Sequence, residues 1–117
     1  MVILRIILNA SPAKQKELRQ TLWSMVSEMR REALCSQANV CVDVEDENQL
    51  FMLSLWESRE NLEAYMRSEK FSALLGSRIL LSSPMLAFID TVAMREGLEA
   101  ILGIRSSAPS KALKRVT

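Results

Sequence analysis

Residues 2–8, VILRIIL, are apolar at every position except Arg5, so a strand here is hydrophobic on both alternating faces. Such a strand needs cover on each side, the situation of a central strand and not of a solvated edge. LFMLSLW at 50–56 makes the same demand, and so does MLAFIDTVAM at 85–94, apart from Asp90 and Thr91. The segment NVCVDVE at 39–45 differs. It puts Val40, Val42 and Val44 on one face and Asn39, Cys41, Asp43 and Glu45 on the other, the pattern of a strand with one wet side.

Helical spacing fills the gaps between these strands. Ser11 and Pro12 supply an N-cap and a first-turn proline, after which Leu18, Leu22, Met25, Val26, Met29 and Ala33 share one face. Asp46, Glu47, Asn48 and Gln49 make a polar turn that closes a hairpin into the strand at 50–56. Ser58 is placed to cap a second helix with Leu62, Tyr65 and Met66 on a common face. Phe71 falls roughly half a turn out of phase with Leu62 on a straight helix, so the helix has to break. Ser68 is the expected second N-cap, leading a new stripe of Phe71, Leu74, Leu75 and Ile79. Ser82, Ser83 and Pro84 punctuate the approach to the last strand, and EGLEAILGI at 96–104 reads as a short helix.

The order is β-α-β-β-α-β, which predicts a ferredoxin-like α+β fold: a four-stranded antiparallel sheet with helices on one face, over residues 1–95. Residues 96–117 are expected to add the short helix and a mobile basic tail, since RSSAPSKALKRVT carries Arg105, Lys111, Lys114 and Arg115 and no acid. Helices cover only one side of such a sheet, yet three strands are apolar on both. Leaving Leu, Ile and Phe side chains bare forgoes roughly 1.5 to 3 kcal/mol each. A homodimer that presses sheet face against sheet face removes that loss.

Composition excludes several functions. At 117 residues, 49% hydrophobic and 25% charged, the chain suits one domain, and a formal net charge of +1 gives no field directed at nucleic acid or a membrane surface. The apolar runs have strand length, and MVILRIILNASP has Arg5 inside its apolar run and lacks a small-residue cleavage site. Neither a spanning helix nor a signal peptide is indicated, and a cytoplasmic location is expected. The two cysteines, Cys35 and Cys41, lack metal-ligand spacing and are expected to be free thiols. The chain has no histidine, which excludes histidine-dependent triads, zinc sites and histidine-ligated heme. Any general acid or base must then be a carboxylate, Tyr65, a lysine or a cysteine. With only Gly76, Gly97 and Gly103 there is no glycine-rich nucleotide cradle.

One motif is distinctive: Trp56 at a strand end, then Glu57, Ser58, Leu62, Tyr65, Ser68 and Phe71. Over residues 2 to 94 the chain resembles the antibiotic biosynthesis monooxygenase family of dimeric α/β barrels, which includes quinol monooxygenases and heme-degrading enzymes. The resemblance implies a cavity between sheet and helices in each subunit. There, some members oxidise a dihydroxy-aromatic substrate with molecular oxygen and neither metal nor flavin. Tyr65 stands where quinol-oxidising relatives commonly carry histidine and heme-degrading relatives tend to carry tryptophan. The heme enzymes' iron ligand would fall near Leu75, which disfavours heme degradation. The expected activity is thus cofactor-independent, metal-free monooxygenation of a quinol or polycyclic phenol. The alternative is a non-catalytic small-ligand-binding or regulatory protein on the same scaffold, holding a small aromatic or apolar ligand.

Within that resemblance Trp56 and Tyr65 are the candidate catalytic residues, while Arg5 and Asn9 are candidate substrate-binding residues by residue type alone. Each also has a purely structural role open to it. Trp56 can plug the base of the helix layer, or stack on an aromatic ligand. Tyr65 can pack against Leu62, or donate a hydrogen bond to a phenolate. Arg5 and Asp90 interrupt neighbouring strands and can form a buried ion pair, or Arg5 can fix an acidic ligand with Asp90 orienting it. The methionines, among them Met25, Met29, Met52 and Met66, serve as core filler or as the lining of a permissive apolar cavity.

Overall fold

The computed structural model describes residues 1–108. Strands β1 (Val2–Asn9), β2 (Cys35–Val42), β3 (Gln49–Trp56) and β4 (Leu86–Thr91) form one antiparallel sheet in the order β2-β3-β1-β4. Helix α1 (Gln15–Met29) joins β1 to β2. Helices α2 (Arg59–Arg67) and α3 (Ser72–Gly76) lie between β3 and β4, and α4 (Leu98–Ser106) follows the sheet. This is the ferredoxin-like α+β arrangement that the element order predicts.

The register explains the two-faced strands. Val2, Leu4, Ile6 and Leu8 pair with Trp56, Ser54, Met52 and Leu50, and all eight are buried. They form one core with Leu18, Leu22, Met25, Val26 and Met29 of α1, whose spacing makes a single inward stripe. The other parity, Ile3, Arg5, Ile7 and Asn9 against Leu55, Leu53, Phe51 and Gln49, faces away from the helices. Beside it on β4, Leu86 and Phe88 are 51% and 43% exposed. Among the described residues, no helix covers this broad, largely apolar sheet face.

Three expectations are corrected. Helix α1 ends at Met29, so Ala33 lies outside it and is exposed, and Ser11 caps through its carbonyl, which accepts from the Lys14 amide at 2.8 Å, and not through its side chain. Strand β2 begins at Cys35 and ends at Val42, leaving Val44 fully exposed in the turn. Asp43 ends the strand because its carboxylate accepts the amide N–H groups of Glu45 and Asp46, each at 3.0 Å, a local turn that outcompetes ladder pairing. A register shift between Cys35 and Gln37 hides the start of the strand from an alternation count.

The break after α2 exists, and Ser68 serves both sides of it. It is the C-cap of α2, its hydroxyl donating to the Tyr65 carbonyl at 2.6 Å, and the expected N-cap of the next turn, where its carbonyl and not its side chain accepts the Phe71 amide at 3.2 Å. Short 3-10 turns at Glu69–Phe71 and Ser77–Leu80 flank α3. Because a 3-10 turn advances the chain by a different angle per residue, the stripe does not extend in helical steps. Leu74, Ser77 and Leu80 are buried, whereas Leu75 and Ile79 are 47% and 86% exposed. Helix α4 buries none of its residues. The expectation of a mobile tail concerns mainly residues 109–117, which lie outside the described residues.

Candidate functional site

The end of β3 and the start of α2 build a pocket. Register places Trp56 on the inner face opposite Val2, 2% exposed, where its indole N–H donates to the Ser54 hydroxyl at 2.9 Å. Ser58 turns the chain into α2 by accepting the Asn61 amide at 3.2 Å. Leu62 and Tyr65, three residues apart on α2, then face the core. The Tyr65 ring lies 5.0 Å from Trp56, tilted by 34°, and 5.9 Å from Phe71, edge-on at 83°. These are ring-to-ring contacts on two neighbours of Tyr65.

That oxygen is the notable atom. Tyr65 is 5% exposed, and its hydroxyl is a buried side-chain polar atom with no hydrogen-bond partner among the described residues. Burial, followed by the charges of Glu28 and Glu32 and by Cys35, pushes its pKa up to about 12. At neutral pH the group keeps its proton, so it can donate a hydrogen bond and cannot act as a base. Burial also pushes the Cys35 thiol up, against its hydrogen bonding with the backbone of Gln37 and Leu55, so no thiolate is favoured there.

Trp56 and Tyr65 form the wall of a pocket of about 280 Å³ that opens to solvent, with Asn61, Ser68, Glu32 and Lys70 around it. Glu32 and Lys70 close one side through an ion pair, Nζ to Oε1 at 2.5 Å. Sequence reasoning missed these two residues. They are separated by 38 positions, and nothing in their spacing signals the contact. The pocket is lined by two aromatic residues, a side-chain amide, one carboxylate and one ammonium, and the Tyr65 hydroxyl itself is buried from solvent.

Arg5 and Asn9 are not brought to this pocket. Arg5 lies on the opposite face of the sheet, where its Nε donates to Asp90 Oδ2 at 2.6 Å and its guanidinium sits 5.0 Å over the Phe88 ring. The ion pair expected from sequence is present, but its side chains are 44% and 46% exposed, so it is not buried. Arg5 borders a separate hollow of about 220 Å³ with Leu53, Leu55 and Arg95. Asn9 ends β1, where its Oδ1 accepts from Gln49 Nε2 at 3.2 Å. It lies on the order of 20 Å along the strand from the end that carries Trp56.

Fold and pocket together define a ferredoxin-like α+β domain with a ligand-sized cleft where the third strand meets the second helix. Residues 1–75, from β1 into α3, match the family model for antibiotic biosynthesis monooxygenase. The chain belongs to that family. A solved structure of an antibiotic biosynthesis monooxygenase is 16% identical with a TM-score of 0.73, covering 80% of this chain and 100% of its own. A Mycobacterium tuberculosis protein is 18% identical with a TM-score of 0.75, covering 82% and 98%. A candidate antibiotic biosynthesis monooxygenase from Deinococcus radiodurans is 18% identical with a TM-score of 0.77, covering 84% and 98%. At these identities the likeness speaks for the fold. No curated protein matches the chain in sequence. Among the described residues no helix is long and apolar enough to cross a membrane.

Proposed function

We propose that the Trp56–Tyr65 pocket binds a small hydroxylated aromatic and that the protein is a cofactor-independent monooxygenase of such a ligand. The observation that carries this reading is the buried, unpartnered hydroxyl of Tyr65, a residue that lines an open pocket. A donor held dry and unsatisfied gains most when an acceptor arrives, and gains more still when that acceptor is an oxygen anion. Tyr65 would hold the phenolate of a quinol while it passes an electron to molecular oxygen, with Trp56 lying along the ring. The pocket opens to solvent, which takes the proton that phenolate formation releases. About 280 Å³ lies at the small end of ligand sites, which suits one aromatic ring better than several.

The protein acts in this reading as a cytoplasmic homodimer joined through the bare sheet face. The exposure of Leu86 and Phe88 supports the dimer, and the free thiols of Cys35 and Cys41 suit a reducing compartment. The second reading, a non-catalytic binder, is favoured by one observation. The space between sheet and helices is filled by Leu22, Met25, Met29, Met52 and Leu62, each at most 3% exposed, so the pocket ends at the Trp56–Tyr65 wall. Oxygen uptake over a panel of hydroquinones and anthrones, with Tyr65→Phe as control, separates the two. Turnover lost in Tyr65→Phe supports the oxygenase, binding with no turnover supports the binder, and neither binding nor turnover overturns both.

A further inference from the structure

The Tyr65 pocket has a neighbour. A second cleft of about 350 Å³ runs between α1 and α3, bordered by Gln20, Thr21, Ser24 and Glu28. Lys70 stands in the wall of both cavities, and its ammonium is tied to Glu32, which borders only the Tyr65 pocket. We propose that the Glu32–Lys70 ion pair is a size gate. Closed, it limits the Tyr65 pocket to a single-ring ligand; open, it joins the two clefts, so that a fused-ring ligand reaches from Trp56 past Lys70 to the side chains of Gln20, Thr21 and Ser24. The inference rests on the ligand reading given above for the Tyr65 pocket.

Four observations carry it. Among the described residues Lys70 is the one that lines both clefts; it comes from the 3-10 turn after α2, and its partner Glu32 from the segment between α1 and β2. Their side chains are 52% and 33% exposed, so the bridge is solvated, and such pairs contribute little and weaken with salt. The two clefts also differ in chemistry. The far one is lined by a side-chain amide and two hydroxyl residues, suited to oxygens on a distal ring, and the near one by the aromatic side chains of Trp56 and Tyr65. Glu28 and Glu32 both raise the Tyr65 pKa, which places an acid from each cleft near that one hydroxyl.

Binding of hydroquinone and of anthrone by isothermal titration calorimetry tests the gate, on the native protein and on Glu32→Gln and Lys70→Ala. Both variants should bind anthrone about three- to fivefold more tightly, as expected for loss of an exposed ion pair, while hydroquinone stays within about twofold. Raising the salt concentration should produce the same anthrone gain in the native protein and none in either variant, a readout that needs no substitution. If the two ligands change together, or anthrone does not respond to either variant, the gate is overturned while the pocket stands. If native protein binds no hydroquinone, the pocket reading fails and the gate with it.

Discussion

Tyr65→Phe should make the ligand-free protein more stable while making its ligand bind less well. The ring-to-ring arrangement with Trp56 and Phe71 is available to phenylalanine as well. What is lost is one buried oxygen with no partner among the described residues. Burying an unsatisfied hydroxyl costs about 1 to 3 kcal/mol, so its removal should stabilise by at least about 1 kcal/mol. For a domain of this size that raises Tm by roughly 4 to 8 °C. Binding moves the other way. Losing a hydrogen bond to an anionic acceptor costs about 1.5 to 3 kcal/mol, or about ten- to a hundredfold in Kd for a phenolate-forming ligand. Thermal melts and hydroquinone titrations on the same two proteins give both numbers. A variant that melts lower than native would show that the hydroxyl is bonded in the free protein, and the donor reading would fall.

The same substitution carries a pH signature with a definite sign. Burial pushes the Tyr65 pKa up to about 12 in the folded chain against about 10 for an ordinary tyrosine, so between those values the folded state binds the proton more tightly than the unfolded one. The stability this provides is fully present below pH 10 and is lost as pH rises through about 12. Tyr65 is the single tyrosine of the chain, so the ultraviolet absorbance of its phenolate reports this residue alone. Native protein should titrate well above free tyrosine, and its stability should fall with alkalinity more steeply than that of Tyr65→Phe. A phenolate appearing near pH 10 in folded protein would contradict the burial argument.

Ser54→Ala leaves the buried Trp56 indole N–H without its acceptor and should cost about 1 to 3 kcal/mol in urea denaturation; an unchanged midpoint would deny that bond its role. Leu53→Asp puts a charge in the middle of the bare sheet face, so light scattering should give a single-chain mass of 13.2 kDa for the variant and twice that for native protein, and a native mass of one chain refutes the dimer. A disulfide-exchange reagent should react promptly with at most one thiol per folded chain, exposed Cys41, and reach buried Cys35 only on unfolding; prompt reaction of both would show that β2 opens locally.

The sequence was most legible where one periodicity ran unopposed. The α1 stripe from Leu18 to Met29 and the two-faced strands β1 and β3 are core-dominated segments, and burial is what the pattern encodes. Legibility failed where a short-range interaction overrode the pattern. Val44 continues the alternation of Val40 and Val42 but sits in a turn that the Asp43 carboxylate closes. Leu75 and Ile79 continue a helical count through a segment whose 3-10 turns change the count. In both cases the residues have the composition of the core and only local geometry keeps them out of it.

The site divides along a similar line. Trp56 and Tyr65 were readable because the cap at Ser58 and the strand register leave them little choice of direction. Arg5 and Asn9 were candidates by residue type, and residue type carries no information about face. Parity along β1 does: Arg5 and Asn9 share the phase of Ile3 and Ile7, while Val2 of the opposite phase meets Trp56 across the ladder. A one-residue difference in phase therefore puts Arg5 a whole sheet thickness from the pocket. In a sheet-to-sheet dimer its ion pair with Asp90 would lie at the interface, where losing solvent makes pairing obligatory. Arg5→Ala, which strands Asp90 there, should accordingly weaken dimerisation more than the double variant Arg5→Ala/Asp90→Ala does. Sedimentation at graded concentrations measures the difference, and equal dissociation by single and double variants would place the pair outside the interface.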